Sequence, residues 1–110
     1  MKTIAILIIS AVGIVAVSAA YAGDGPAIFK SQGCMTCHKK EGSSKINPSL
    51  AEISQAYQGK EEQLIKYLKG ESKAIVRPQK GSLMKRQIEK TKKLPDAELK
   101  AMADYILGLQ

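Results

Sequence analysis

The sequence predicts an all-α protein built as one small domain, and three observations carry that expectation. The chain has 110 residues, the size of a single domain. No stretch alternates apolar and polar residues with period two over the length of a strand. Apolar residues recur instead at spacings of three and four in several segments, each bounded by helix start and stop residues. The expected architecture is about four to five short helices joined by polar loops, without internal repeats.

The first segment reads as targeting rather than folding. Lys2 supplies a positive start, Ile4 to Val17 is an almost unbroken apolar run, and Ala20-Tyr21-Ala22 is an A-x-A cleavage pattern. Residues 1–22 are therefore expected to be a secretory signal peptide and residues 23–110 the mature domain. A retained membrane anchor is the competing reading, because Ile4 to Ala22 reaches the roughly 17 residues that a spanning helix needs. Removing 22 residues from 110 leaves 88, and removing Lys2 leaves 16 basic against 10 acidic side chains, a net +6. A domain of that size commonly borrows stability from a disulfide, a metal or a cofactor.

Asp24 with Pro26 marks the first helix, which carries Ala27, Ile28 and Phe29 and ends at Gly33. A loop rich in Lys, Gly and Ser extends from Lys39 to Asn47. Pro48 opens the second helix, with Leu50, Ile53 and Tyr57 on one face and Gly59 closing it. Lys60 to Lys69 is the third, with Leu64, Tyr67 and Leu68 on one face, acidic residues first and basic residues last. The pattern lapses around Pro78 and Gly81, and Lys85 to Lys93 is expected as a short basic turn. Pro95 and Asp96 start the last helix, whose face is Leu99, Met102, Ile106 and Leu109.

Counting excludes several chemistries. With two Cys and one His, the chain cannot form a disulfide-dense scaffold or a four-ligand Cys/His zinc site. A Ser-His-Asp enzyme would have to use His38, the sole histidine. All three of these residues lie together in Cys34-Met35-Thr36-Cys37-His38.

C-x-x-C-H is the haem attachment pattern: two thiols add across the vinyl groups of one haem while the adjacent imidazole ligates iron. Two intervening residues in a helical turn set both sulfurs along one porphyrin edge and project the next side chain towards the metal. A thioredoxin-like redox pair is the competing reading, and it needs a βαβ pattern that this chain lacks. A structural disulfide would leave His38 without a role and close too short a loop to stabilise much.

The sixth iron ligand cannot be a second histidine. Met1 falls in the signal segment, Met35 sits inside the attachment loop, and Met102 lies on the apolar stripe of the last helix, where it reads as core. Met84 comes after an irregular segment and is expected on a loop that brings its thioether to the distal side. Lys80 or Lys85 is the competing ligand.

These residues resemble the class I c-type cytochromes, particularly the short monohaem bacterial forms, over a span from about Gly25 to Leu109. Gly25 and Phe29 look like the Gly-x-x-x-aromatic of that family's first helix, which crosses the last helix, where Met102 and Tyr105 look like its partners. Cys34, Cys37 and His38 match the haem-binding motif. Pro48 matches the proline whose carbonyl accepts the hydrogen bond of the ligating histidine, and Met84 matches the axial methionine. Asn47 and Lys85 stand where the family often has Gly and Pro.

The resemblance implies a class I cytochrome c fold around one covalent haem c with its iron, held by Cys34, Cys37, His38 and Met84. It also implies single-electron transfer between respiratory redox partners rather than an enzyme activity. Phe29, Leu50, Ile53, Leu64, Leu68, Ile75 and Leu83 are candidates to enclose the porphyrin, and Tyr57, Tyr67 and Arg77 to bond its propionates. A haem peroxidase or gas binder with an open sixth position, and a C-x-x-C thiol-disulfide oxidoreductase, are the alternatives.

The basic charge bears on partners. Lys39, Lys40 and Lys45 come after the attachment motif, and Lys80, Lys85, Arg86, Lys90, Lys92 and Lys93 surround Met84. Bordering one haem edge, they would steer acidic redox proteins, such as a quinol:cytochrome c reductase-like donor and a terminal oxidase or periplasmic reductase as acceptor. Nucleic acid is not an expected partner, since no aromatic platform accompanies the charge. A monomer in the periplasm is expected, with at most weak contact to an anionic membrane surface.

Overall fold

The computed structural model describes residues 24–109, so the signal segment expected at residues 1–22 lies outside the described residues. Five α-helices occur in order: α1 Gly25–Ser31, α2 Leu50–Ala56, α3 Glu61–Leu68, α4 Gly81–Thr91 and α5 Asp96–Ile106. Two short 3-10 turns, Cys34–Thr36 and Pro78–Lys80, precede the loop to α2 and the start of α4. No strand occurs among the described residues, as the absence of period-two patterning predicts.

Local chemistry explains most helix limits. The Asp24 carboxylate accepts from the Ala27 amide at 3.2 Å and Ser49 Oγ from the Glu52 amide at 3.2 Å, so two orphan donors at the starts of α1 and α2 are satisfied. Glu61 and Glu62 open α3 and Lys66 lies in its last turn, aligned with the helix dipole. Gly70, at φ 76°, then lets the chain turn back, with the Glu71 amide bonded to the Lys66 carbonyl at 2.8 Å. A Cβ on Gly70 would also lie 3.4 Å from Ile88 Cγ2 on α4.

The core forms where α1 and α5 cross. Phe29 meets Tyr105 edge-to-face, with ring centroids 5.4 Å apart and planes at 62°. Gly25 is buried on the same helix, so the expected pairing of first and last helices is present. Leu99, Met102 and Ala103 of α5 are fully buried, and Leu64 and Leu68 bring α3 against them. Thr91 Oγ1 donates to the Leu68 carbonyl at 2.6 Å, joining the end of α4 to the end of α3.

Two expectations need correction. Most of the segment expected as a short basic turn, Lys85 to Thr91, belongs to an 11-residue helix that begins at Gly81, and Met84, expected on a loop, lies in that helix. Lys85 permits this, because a proline there would have disfavoured helical geometry at Met84. Leu109 does not continue the buried face of α5; the helix ends at Ile106, Gly108 reverses the chain at φ 70°, and Leu109 is exposed.

Candidate haem site

Gly33, at φ 78°, turns the chain sharply after α1 and delivers it into the Cys34–Thr36 turn. The Cys37 and His38 amides both bond the Cys34 carbonyl, at 3.2 and 2.9 Å. One helical turn therefore spaces the two thiols and presents His38 just beyond them. Cys34 is half-buried and Cys37 exposed, and no disulfide joins them. Burial pushes the Cys34 thiol above its ordinary 9.0, and the nearby Lys90 ammonium offsets part of that rise.

His38 is almost fully buried, and its Nδ1 lies 2.8 Å from the Pro48 carbonyl oxygen. A carbonyl only accepts, so Nδ1 carries the proton and Nε2 keeps a free lone pair. The loop that supplies Pro48 is itself fastened. The Asn47 amide bonds Ser44 Oγ at 2.8 Å, and the Leu50 and Ala51 amides at the start of α2 bond the Lys39 and Lys40 carbonyls at 2.7 and 3.1 Å. The residues just after His38 are thus pinned to the residues just after Pro48.

Cys34, Cys37, His38 and Met84 line one cavity. Phe29, Ile53, Leu64 and Leu68 form apolar wall, and exposed Ile46 and Leu83 form rim. Leu50 and Ile75, expected as porphyrin contacts, pack in or against the core outside this lining. Met102 is 0% exposed, as its core reading requires, and reaches the cavity from α5. A wider, more open depression at the ends of α2 and α3, lined by Ser54, Gln58, Glu62, Lys66 and Leu109 among others, holds neither sulfur nor imidazole.

Tyr57, Tyr67 and Arg77 also line the cavity. The Tyr57 hydroxyl is buried without a hydrogen-bond partner. Burial first, and Tyr67 second, push its pKa up to about 12; the Ile75 backbone offsets a little without reaching hydrogen-bond geometry. An unpaired buried hydroxyl is costly, so its presence on this wall fits a group with acceptor atoms inside the cavity. Arg77 is bonded within the protein: its Nε and Nη2 donate to Glu52 at 2.9 Å each, and its Nη1 to the Ser44 carbonyl at 2.6 Å. The sequence does not reveal this, because Glu52 and Arg77 lie 25 positions apart and neither belongs to a motif.

The donor set suits one iron porphyrin: thiols for vinyl groups, an imidazole with its lone pair free, a thioether and an apolar enclosure with an unpaired hydroxyl. An all-helical fold carrying such a site defines a c-type haem protein. The chain belongs to the cytochrome c family, whose model matches residues 22–110. It is 37% identical over 94 residues to cytochrome c-553 of Nitratidesulfovibrio vulgaris strain Miyazaki F, an alignment spanning 84% of this chain and 83% of that protein. Its cofactor is covalently bound haem c with iron, in a class I monohaem fold, and its function is haem-based electron transfer.

Proposed function

We propose that this protein is an exported electron carrier of the periplasm, released from a signal peptide cleaved after Ala22 and acting as a monomer. Cys34 and Cys37 carry the thioether bonds, His38 ligates the iron, and Met84 supplies the sixth ligand. The observation that supports this best is the 2.8 Å bond from His38 Nδ1–H to the Pro48 carbonyl, beside both thiols. That bond fixes the ring, exposes Nε2 to a metal and raises its basicity.

When bound, the haem supplies a one-electron iron couple. The protein's part would be to hold the iron with both His38 and Met84, which would leave oxygen and peroxide no free site. Met84, as a neutral thioether, also favours a raised potential. Phe29, Leu64 and Leu68 exclude water from the porphyrin's surroundings. No distal acid or base is required, and we infer a carrier rather than an enzyme.

Lys39, Lys40, Lys85 and Arg86 are exposed. With the other basic residues around the attachment motif and Met84, they would favour acidic redox proteins, a quinol:cytochrome c reductase-like donor and a terminal oxidase or periplasmic reductase. Contact with an anionic membrane surface is secondary, and nucleic acid is not a partner.

The test is the visible spectrum of the exported, haem-loaded protein, oxidised and reduced. Expected are a low-spin c-type spectrum that resists acid-acetone extraction and a weak long-wavelength iron–sulfur band in the oxidised form. Met84→Ala is expected to abolish that band. A high-spin spectrum that responds to carbon monoxide would favour a ligand-binding protein instead, and a colourless protein would defeat the reading of the Cys-His motif.

A further inference from the structure

We infer that Arg77 and Glu52 form a clasp that positions Met84, by locking the segment leading into α4 onto the loop that orients His38. The inference rests on Met84 being the sixth ligand. Met84 stands seven residues after Arg77, separated from it by the Pro78–Lys80 turn and the start of α4. Pro48, the acceptor for His38, lies in the loop that ends at Ser49.

The guanidinium joins these two regions in a single geometry. Its Nε and Nη2 bond the two Glu52 oxygens, while Nη1 bonds the Ser44 carbonyl in the loop itself. Ser43 Oγ donates to Glu52 Oε1 at 2.8 Å and accepts from the Ser49 amide at 3.0 Å, so the same carboxylate also gathers the residues beside Pro48. Lys80 adds a second stitch, donating to the Lys45 carbonyl at 2.6 Å.

Two features separate this pair from the other ion pairs among the described residues. Its side chains are 21% and 35% exposed, whereas Lys100, paired with Glu61 and Asp104, is 62% exposed. Arg77 also sits at φ 49°, a left-handed conformation costly for a side-chain-bearing residue, which persists where its surroundings hold it. At least three of its five N–H donors are taken by protein acceptors, which fixes the guanidinium within the clasp.

A thioether is a weak neutral ligand, and its hold on iron depends on the protein presenting it. Releasing the clasp raises the population in which Met84 has swung away. An external ligand's apparent affinity rises with that population.

The experiment is an imidazole titration of the oxidised, haem-loaded protein, comparing wild type with Arg77→Gln, Glu52→Gln, Arg77→Lys and Lys100→Gln. Arg77→Gln and Glu52→Gln are expected to bind imidazole about tenfold more tightly or better, and to lose the iron–sulfur band at a lower temperature. Arg77→Lys, which keeps charge but not the fork, should fall between. Lys100→Gln breaks ion pairs elsewhere and should titrate like wild type. Glu52→Gln preserves shape and carries the test if Arg77→Gln does not accumulate. Wild-type imidazole affinity and band stability in both clasp variants would overturn the proposal. A band that survives Met84→Ala would overturn the ligand assignment instead, so the two failures are distinguishable.

Discussion

Glu52 shows how much a single side chain can coordinate. The Arg77 bonds, then the Ser43 bond, hold its carboxyl below the ordinary 4.5. The ionised form is therefore the one the fold prefers, and its stabilisation is present above pH 4.5 and lost as pH falls through the lowered folded value. Glu52→Gln should accordingly be less stable than wild type at pH 7, and the difference should shrink as both are acidified below pH 4.5. Denaturant midpoints measured from about pH 7 to about pH 3 check this, and a gap that stays constant with pH would contradict it. His38 is the opposite case, a residue whose ring orientation is set by one backbone oxygen rather than by a charged partner. That oxygen is legible in the sequence only through the family resemblance, in which Pro48 matches the proline whose carbonyl accepts from the ligating histidine. The Arg77 contacts are not, since two residues 25 positions apart meet only after both loops have folded.

At the scale of elements, Thr91 joins α4 to α3 through a buried hydroxyl bonded to the Leu68 carbonyl at 2.6 Å. Thr91→Val keeps the shape and leaves that carbonyl unpaired, which should cost about 1–3 kcal/mol. Urea unfolding of the haem-loaded protein would show a lowered midpoint with an unchanged slope; a midpoint within error of wild type would rule out the bond's importance. Helix α4 is also where the sequence pattern is least informative. Between Gly81 and Thr91 only Leu83, Met84 and Ile88 are strongly apolar, and Leu83 is 61% exposed. The helix forms because Ile88 and Thr91 find partners on α3 and near Gly70, a tertiary effect that local periodicity does not carry. By contrast α5 is readable, because Leu99, Met102 and Ile106 repeat at helical spacing and all are buried. Its overestimated end at Leu109 reflects Gly108, which takes φ 70° and terminates the helix even though an apolar residue comes next.

For the whole molecule, a formal charge of +7 on 110 residues, or +6 without residues 1–22, favours long-range electrostatic encounters with acidic partners. Electron transfer with a soluble acidic redox protein is expected to slow steeply as salt rises from about 10 to 150 mM, where the screening length falls from about 30 to 8 Å. Stopped-flow rates across that range test it, and rates indifferent to salt would show that charge does not guide docking. No described helix is long and apolar enough to cross a membrane.

The contact of Phe29 with Tyr105 spans almost the entire described chain. A ribosome releases the first helix before the last, so this junction cannot close until α5 has been made. Cys34 and Cys37 lie just beyond the first helix and wait, through that interval, in a segment whose eventual neighbour has not yet been made. The architecture thus has a built-in order in time: the attachment residues emerge early, and the fold that will enclose them is sealed last.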